Sequence, residues 1–470
     1  MDTSLLIVNR VHGRIPGRFM KFRSCSILLP LLVGLLVAGC RGLPAVGEKS
    51  ARQDVATIAG ELSVTSAPPL KPDANLREAV AFALRHQPQV TAAYAEWATS
   101  VEQITVERSR PDPKLTFEFY LADTITSLMP GLAMDVPGPG KLKTRAALAT
   151  AASRAKYFQF ETAVLQTAFD VEKAYYPLSF LEERLRVNRQ SLALLTGLEA
   201  LARTQDVVGK ATLQDVLRAQ IEREKLRNET ANLEDSRHVL MAQYKAALGL
   251  AYRDPEPVVP ARVESAAVGT NDVEWFDEAL KQNPRLRELA AEIQVAEAQI
   301  AVARKDRVPD FSAAAEADVK ASPVIWNPQF SMTLPVWRDK LAAELAAAKD
   351  ARRAAEARLA VEQIALAADF AERAYELREA DRELTLLHDR LLPRARQVLE
   401  AARAAYRSGQ TDFLNVIDAE RTLLNFQLHE IGAQTSRALA RAELQLVVAG
   451  VPPANAPMLN ERAETLKSVR

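Results

Sequence analysis

Residues 209–217 of the chain read Gly-Lys-Ala-Thr-Leu-Gln-Asp-Val-Leu, and residues 409–417 read Gly-Gln-Thr-Asp-Phe-Leu-Asn-Val-Ile. The two stretches lie 200 positions apart in the sequence. A helical pattern that runs from Pro88 to Pro113 recurs, with the same length, from Pro284 to Pro309. A near-constant offset across such different segments predicts a duplicated unit of about 200 residues, which is too long for a solenoid repeat. The copies are therefore predicted to be two halves of one architecture.

Each half contains one predicted hairpin of strands, at about 113–137 and about 309–335. Apolar and polar side chains alternate there with the period of two that is typical of a strand. The alternation is carried by Leu115, Phe117 and Phe119 in the first half and by Phe330, Met332 and Leu334 in the second. The strands have about the length of ~9–11 residues that crosses a bilayer at a tilt.

A very long helix follows each hairpin, at 141–205 and 339–407. At a rise of 1.5 Å per residue, such a helix is roughly 100 Å long, and apolar residues repeated every seven positions predict coiled-coil packing. Pro177 and Pro393 interrupt the pattern, so each is expected to kink its helix or to need local compensation.

A glycine turn ends each long helix, at Val208-Gly209 and at Ser408-Gly409, and a shorter helix follows over 212–248 and 412–448. Glycine suits such turns because it adopts positive φ at little cost. In the helical stretch 76–108, Asn75 and Glu78 have the spacing of a capping box.

The N-terminus has the pattern of a secretory signal, with Arg18, Lys21 and Arg23 before an apolar run over 27–38. Cys40 follows Ala-Gly and resembles the lipidated cysteine of a bacterial lipobox; an ordinary cysteine is the alternative interpretation. We predict a signal peptide over 1–39, a lipidated extended tether over 40–72 and a tail over 453–470. The sequence leaves the start open between Met1 and Met20.

Composition and motifs argue against an enzyme and against a nucleic-acid-binding protein. Sixty basic and sixty acidic residues cancel, and both cysteines, Cys25 and Cys40, lie in the leader. The chain contains no glycine-rich phosphate loop and no histidine pair with metal-ligand spacing. We therefore expect no catalytic activity, no cofactor and no metal site.

Four strands cannot close a barrel, and open strand edges are not tolerated inside a membrane. If the strands span a bilayer, several chains must share one barrel. The alternative is a soluble helical rod with small sheets at its end.

Each half thus has the same predicted order: two strands, a long helix, a glycine turn and a shorter helix. The strand exits read Pro-Gly-Pro-Gly-Lys-Leu over 137–142 and Leu-Pro-Val-Trp over 334–337. This plan and these segments resemble the outer-membrane efflux (TolC-like) family and its lipoprotein members. The resemblance divides the chain into repeats at 73–265 and 266–452. It implies a mainly helical fold with membrane β-structure: a homotrimer that shares a 12-stranded barrel in the outer membrane, continued by a coiled-coil periplasmic tunnel. The implied partners are a periplasmic adaptor and an inner-membrane pump, of the RND type.

The same resemblance places a gate of the tunnel mouth at Asp215, Asn415 and Asp418. It places adaptor docking at the two tip turns, formed by Val208 and Gly209 and by Ser408 and Gly409. Asn415 departs from the family's acidic pattern, which lowers the charge of one ring. The alternative for Asp215 and Asp418 is that they are solvated acids that favour a helix start.

The expected function is a passive outer-membrane exit duct of a tripartite efflux system. The strand-exit segment 137–142 resembles members that work with heavy-metal pumps, while drug or solvent export is equally compatible. Two other functions stay open: a lipid-anchored periplasmic coiled-coil scaffold without channel activity, and the exit duct of a type I protein secretion system.

Overall fold

The computed structural model describes residues 44–45, 47–62, 70, 74–121, 125–257 and 272–448, all within one compact unit, Pro44–Arg470. The predicted signal peptide over 1–39, the lipidation site Cys40 and the tail over 453–470 lie outside the described residues.

The first repeat and the tether segment before it contain five helices and two strands in the described residues, and the first of these helices lies in the tether segment. The elements are α1 Glu48–Leu62, α2 Leu76–His86, α3 Pro88–Arg108, β1 Lys114–Leu121, β2 Ile125–Val136, α4 Lys141–Val207 and α5 Leu213–Ala247. The capping box before α2 is present as predicted, since the Asn75 side chain accepts from the Glu78 backbone amide and Glu78 accepts from that of Asn75. The described part of this repeat thus has the predicted order of elements, and α1 is an added helix before it.

The second repeat follows the same order. Its elements are α6 Asp272–Gln282, α7 Pro284–Lys305, β3 Phe311–Asp318, β4 Ile325–Met332, α8 Arg338–Leu386, a π-helical segment Leu387–Leu391, α9 Leu392–Arg407 and α10 Phe413–Val448. The π-helical segment lies directly before Pro393 and is the local compensation that this proline needs, because proline lacks a backbone donor. Pro177, in contrast, lies within α4 without a break in the helix.

The extended conformation expected for the tether over 40–72 is wrong for residues 48–62, which form α1. Helix α1 packs on α3, and Glu48 is buried at its first turn. The Glu48 carboxylate accepts hydrogen bonds from Arg108 Nε, Thr105 Oγ1 and the Ala45 amide, each at 2.8 Å. These long-range contacts stabilise a helix that the local composition does not predict.

The four strands form one antiparallel sheet in the order β1-β2-β3-β4, so the hairpins of the two repeats join through β2 and β3. Directly paired residues of an antiparallel sheet lie on the same side. The apolar face consists of Leu115, Phe117, Phe119, Leu128, Pro130, Leu132, Met134, Val136, Phe311, Ala313, Ala315, Ala317, Trp326, Pro328, Phe330 and Met332.

The polar face is the opposite side of this sheet. It includes Lys114, Thr116, Glu118, Ser127, Asp135, Ser312, Glu316, Asp318, Asn327, Gln329 and Ser331, together with small residues and with Met129 and Ile325. Polar side chains bond to one another across strands here, as Ser127 does to Asp318 at 2.7 Å. The sheet therefore has one side suited to an apolar environment and one suited to water.

The long helix α4 organises the helical part. Near the sheet it packs against α3 and α7, and toward its other end it packs against α5 and α10. The largest apolar core lies where α1, α2, α3 and α5 meet α4, and Trp97 stacks on Phe160 there with ring centroids 5.8 Å apart. Within the described ranges, no helix is both long and apolar enough to cross a membrane.

Candidate functional site

The end of the helical part farthest from the sheet is formed by two tip turns with the same backbone geometry. Gly209 has φ +73° and Gly409 has φ +75°, in the left-handed region. The amide of Lys210 donates to the carbonyl of Gln205 at 2.8 Å, and the amide of Gln410 donates to that of Ala405 at the same distance. Open space surrounds both glycines, so the turn requires glycine for its φ and not for close packing.

The two tips differ in the side chains that they expose. The first tip presents Val207, Val208 and Leu213, three large apolar side chains that are mostly exposed. At the second tip Phe413 is buried, Arg407 and Ser408 are exposed, and Leu414 is 43% exposed. The first tip is therefore the more apolar of the two, which the sequence analysis did not predict beyond naming Val208.

A single apolar core holds the two tips together. It joins Leu198 and Ala202 of α4, Ala219 of α5 and Tyr406 of α9 to Val416 of α10. Because four helices share this core, a shift of one hairpin tip must disturb the packing of the other.

Asp215 serves as a helix cap in this structure. Its carboxylate accepts from the backbone amide and from the hydroxyl of Thr212, both at 3.1 Å, and completes a capping box at the start of α5. The residue is half-buried, and its charge adds to the effect of burial in raising the pKa of Tyr406. The solvated helix-start interpretation therefore accounts for the position of Asp215 within one chain.

Asn415 and Asp418 lie one turn apart on α10 and line the same groove, of about 450 Å³, between α9 and α10. The Asn415 amide donates to Thr411 Oγ1 at 2.7 Å. Asp418 is 57% exposed and lies 3.6 Å from the guanidinium of Arg421. The structure thus brings two of the three predicted gate residues together and leaves Asp215 on the other hairpin.

Arg421 and Glu222 form the direct polar link between α10 and α5. The guanidinium donates two hydrogen bonds to the carboxylate, at 2.9 and 2.5 Å. The bonds from Arg421 lower the pKa of Glu222 against the opposing effect of burial. This bidentate pair joins the two repeats beside Asp418, and the sequence analysis missed it because the partners are 199 residues apart.

A second carboxylate near the tips is buried. Glu420 is packed between α10 and α4, where it accepts a hydrogen bond from the Ser191 hydroxyl. Burial raises its pKa, and the bond from Ser191 only partly offsets that effect. The sequence contains a signal for this site. Gln220, which lies 200 positions before Glu420 in the first repeat, is uncharged, so the carboxylate is a difference between the two repeats.

The groups at the tips can bind and repel charge, and they can hold two hairpins in register. In the described part of the chain, no group of three His, Cys, Asp or Glu side chains could hold a metal ion. The tips therefore combine an exposed apolar surface with charged side chains, Asp418 and Arg421.

Residues 275–450 match the family described as outer membrane efflux protein. The chain is 23% identical over 275 residues to the cobalt-zinc-cadmium resistance protein CzcC of Cupriavidus metallidurans, an alignment that covers 56% of this chain and 62% of that protein. The chain therefore spans less than two thirds of the length of this relative.

Solved structures with a similar fold include the outer membrane protein VceC from Vibrio cholerae, at a TM-score of 0.66 and 17% identity over 80% of this chain and 96% of VceC. They also include CusC, at a TM-score of 0.68 and 16% identity over 83% of this chain and 96% of CusC. At these identities the likeness concerns the fold. Residues 275–450 of the chain are thus similar to the outer membrane efflux protein family, and 80–83% of the chain has the fold of VceC and CusC.

Proposed function

We propose that this protein is the outer-membrane channel of a tripartite efflux system, a passive duct through which small molecules or metal cations leave the cell. The observation that carries the proposal is the sheet, with its apolar face on one side, its polar face on the other and long helices at one end. A sheet of that kind fits a barrel wall between lipid and a water-filled lumen.

The sheet edges support assembly with further copies. Strands β1 and β4 are the edges of the four-stranded sheet, and each leaves a row of backbone groups without a strand partner in the described chain. In a membrane such groups must be satisfied by another strand. We propose a homotrimer in which β4 of one chain pairs with β1 of the next, which gives a barrel of twelve strands.

The tips fit the role of the docking surface for a periplasmic adaptor. They lie at the far end of α4 from the sheet, about 100 Å away by helix length. The exposed Val207, Val208 and Leu213 supply apolar contact area, and Gly209 and Gly409 fix the turns. Transport energy would come from an inner-membrane pump of the RND type, because we propose no catalytic role and no cofactor for this chain.

Asp418 is the residue to which we assign charge selection at the mouth. It is exposed, and three copies around a threefold axis would form a ring of carboxylates. Arg421 lies 3.6 Å from it and partly offsets the negative potential of the carboxylate, and Asn415 adds no charge. We assign Asp215 to the same mouth with a capping role in addition. The anchor of the assembly to the outer membrane would be a lipid on Cys40.

Divalent metal cations are the substrate class that we propose to test first, because the relative is named a cobalt-zinc-cadmium resistance protein. A strain that lacks the gene, grown in graded zinc, cobalt, cadmium and a panel of drugs, decides between metal and drug export. Sensitivity to the metals alone supports the assignment, and sensitivity to the drugs alone contradicts it.

The channel itself is tested by electrical recording. The purified full-length trimer, added to a planar bilayer, should give discrete conductance steps, and a variant with Phe117→Lys on the apolar face should insert poorly. Thr116→Lys, one residue away on the polar face, is the matched control and should insert normally. Absence of steps together with a periplasmic location of the sheet would favour a scaffold function and would contradict the proposal.

A further inference from the structure

The junction between the sheet and the helices collects positive charge. The segments 107–114, 141–145, 304–310 and 338–340 contain eight exposed cationic residues and only two exposed acidic ones, Asp112 and Asp339. We call the eight cations the basic collar: Arg110, Lys114, Lys143, Arg145, Arg304, Arg307, Arg338 and Lys340.

These segments lie at one level because they meet at one end of the sheet. The registered pairs place Val136 beside Phe311 and Phe311 beside Met332, so the sheet ends there on three strands together. Lys141 Nζ bonds to Asp310 at 2.8 Å, which ties the start of α4 to the start of β3. The basic collar therefore surrounds the sheet where the apolar face stops.

The change from apolar to cationic surface is abrupt at the start of α8. Leu334, Val336 and Trp337 are exposed, Trp337 to 75%. Arg338 and Lys340 follow within three residues, and a surface hollow of about 610 Å³ is lined by residues 336–340. A tryptophan beside cations at the limit of an apolar surface is the arrangement that favours the headgroup level of a bilayer.

The cations of the collar differ in how they are compensated. Lys114 pairs with Asp135 at 2.9 Å, and Lys340 lies 3.7 Å from Glu344. Among the residues that the structure describes, Lys143 and Arg338 have no carboxylate within ion-pair distance. In the described residues, the other end of the sheet carries Glu118, Glu316 and Asp318 on its polar face, with the exposed Lys320 after β3, so the excess of positive charge lies at the helix end.

We propose that the basic collar, apart from Lys114 on the polar face, binds the phosphate groups of anionic glycerophospholipids in the leaflet that borders the helical part, with Trp337, Arg338 and Lys340 as its strongest site. The inference rests on the proposed function, because it requires the apolar face to lie in a bilayer. A guanidinium without a carboxylate partner in the described residues, such as that of Arg338, can bind a phosphate through two hydrogen bonds. The Trp337 ring would lie between the lipid headgroups and the acyl chains. Anionic lipid would then fix the height of the channel in the membrane.

The test is quenching of Trp337 fluorescence by brominated lipid in vesicles. A Trp326→Phe background leaves Trp337 as the lipid-facing tryptophan, because Trp97 is buried in the helical core and Trp275 packs against the apolar cluster around Phe370. The full-length trimer is reconstituted in phosphatidylcholine that contains either brominated phosphatidylglycerol or brominated phosphatidylcholine.

We expect phosphatidylglycerol to associate at Trp337 about three- to tenfold more strongly than phosphatidylcholine, with the preference falling as salt is raised. Arg338→Gln with Lys340→Gln should bring the ratio close to one, and Arg338→Lys with Lys340→Arg should retain it. Lys349→Gln with Arg353→Gln is the matched control, with the same charge change about 16 to 20 Å farther along α8, and should leave the ratio unchanged.

Equal quenching by the two lipids in the parent protein overturns the inference, and so does a preference that survives Arg338→Gln with Lys340→Gln. If the same preparations conduct in planar bilayers while either result is obtained, the proposed function stands and the lipid site alone has failed. If neither lipid quenches Trp337 and no conductance appears, the membrane placement has failed and the collar assignment with it.

Discussion

Replacing Glu48 by glutamine should loosen helix α1 from α3. The Glu48 side chain is 2% exposed and accepts from Arg108, Thr105 and the Ala45 amide. Burial would raise the pKa of this carboxyl, and the hydrogen bonds outweigh burial and hold the pKa at about 2, against an ordinary 4.5. A lowering of that size corresponds to roughly 3 kcal/mol in favour of the docked, ionised state.

The measurement is amide hydrogen exchange of residues 48–62 in the full-length protein. If α1 opens locally, a loss of roughly 3 kcal/mol raises the exchange rate of its amides about 100-fold. Glu102→Gln is the matched control. It removes the partner of Arg52 on the same surface, but Glu102 is 66% exposed, so less than about 1 kcal/mol is expected. Equal acceleration in the two variants would refute the reasoning.

The pH dependence of the same exchange has a fixed sign. Because the pKa of Glu48 is lowered in the folded state, its contribution is complete above about 4.5 and is lost as the pH falls toward 2. After correction for intrinsic exchange, α1 in the parent protein should lose protection over that interval, and α1 in Glu48→Gln should not. The contacts of Glu48 matter for function because they hold α1, which follows the proposed lipid anchor in the sequence.

Three further outcomes concern the tips. A double-mutant cycle of Glu222→Gln and Arg421→Gln should give a coupling of about 1 kcal/mol in the free energy of unfolding, since the guanidinium is 46% exposed; a coupling near zero would count against the link. Asp418→Ala should raise single-channel conductance or relieve block by divalent cations, and unchanged currents would show that Asp418 does not line the mouth. Asp215→Ala should instead speed amide hydrogen exchange at the start of α5, because it removes a helix cap worth about 1 kcal/mol. Gly409→Trp should leave the proposed trimer intact on native gels and abolish efflux, because a bulky residue at φ +75° distorts the turn to which we assign docking; full efflux would argue against docking there.

The sequence predicted the features that depend on local chemistry. Gly209 and Gly409 mark turns because the chain needs positive φ there, and the alternation over Leu115–Phe119 marks a face of the sheet because side chains of a strand point to opposite sides. The π-helical segment before Pro393 likewise follows from the missing donor of proline.

Contacts between distant segments were the part that the sequence could not supply. Helix α1 depends on Arg108, 60 residues beyond Glu48, and its own small and polar residues indicate an extended tether. The link between Glu222 and Arg421 depends on how the two repeats lie side by side. The cap formed by Asp215 could have been read from Thr212 and its spacing of three.

The central claim is that the sheet lies in a bilayer with its apolar face toward lipid. Single cysteines at Thr116, Phe117, Glu118 and Phe119 of β1 test it when labelled in vesicles with a water-soluble and a lipid-soluble maleimide, with the parent protein as the control for Cys40. The account predicts strict alternation: positions 116 and 118 react with the water-soluble reagent, and positions 117 and 119 react only with the lipid-soluble one. Uniform reaction of all four with the water-soluble reagent would contradict it.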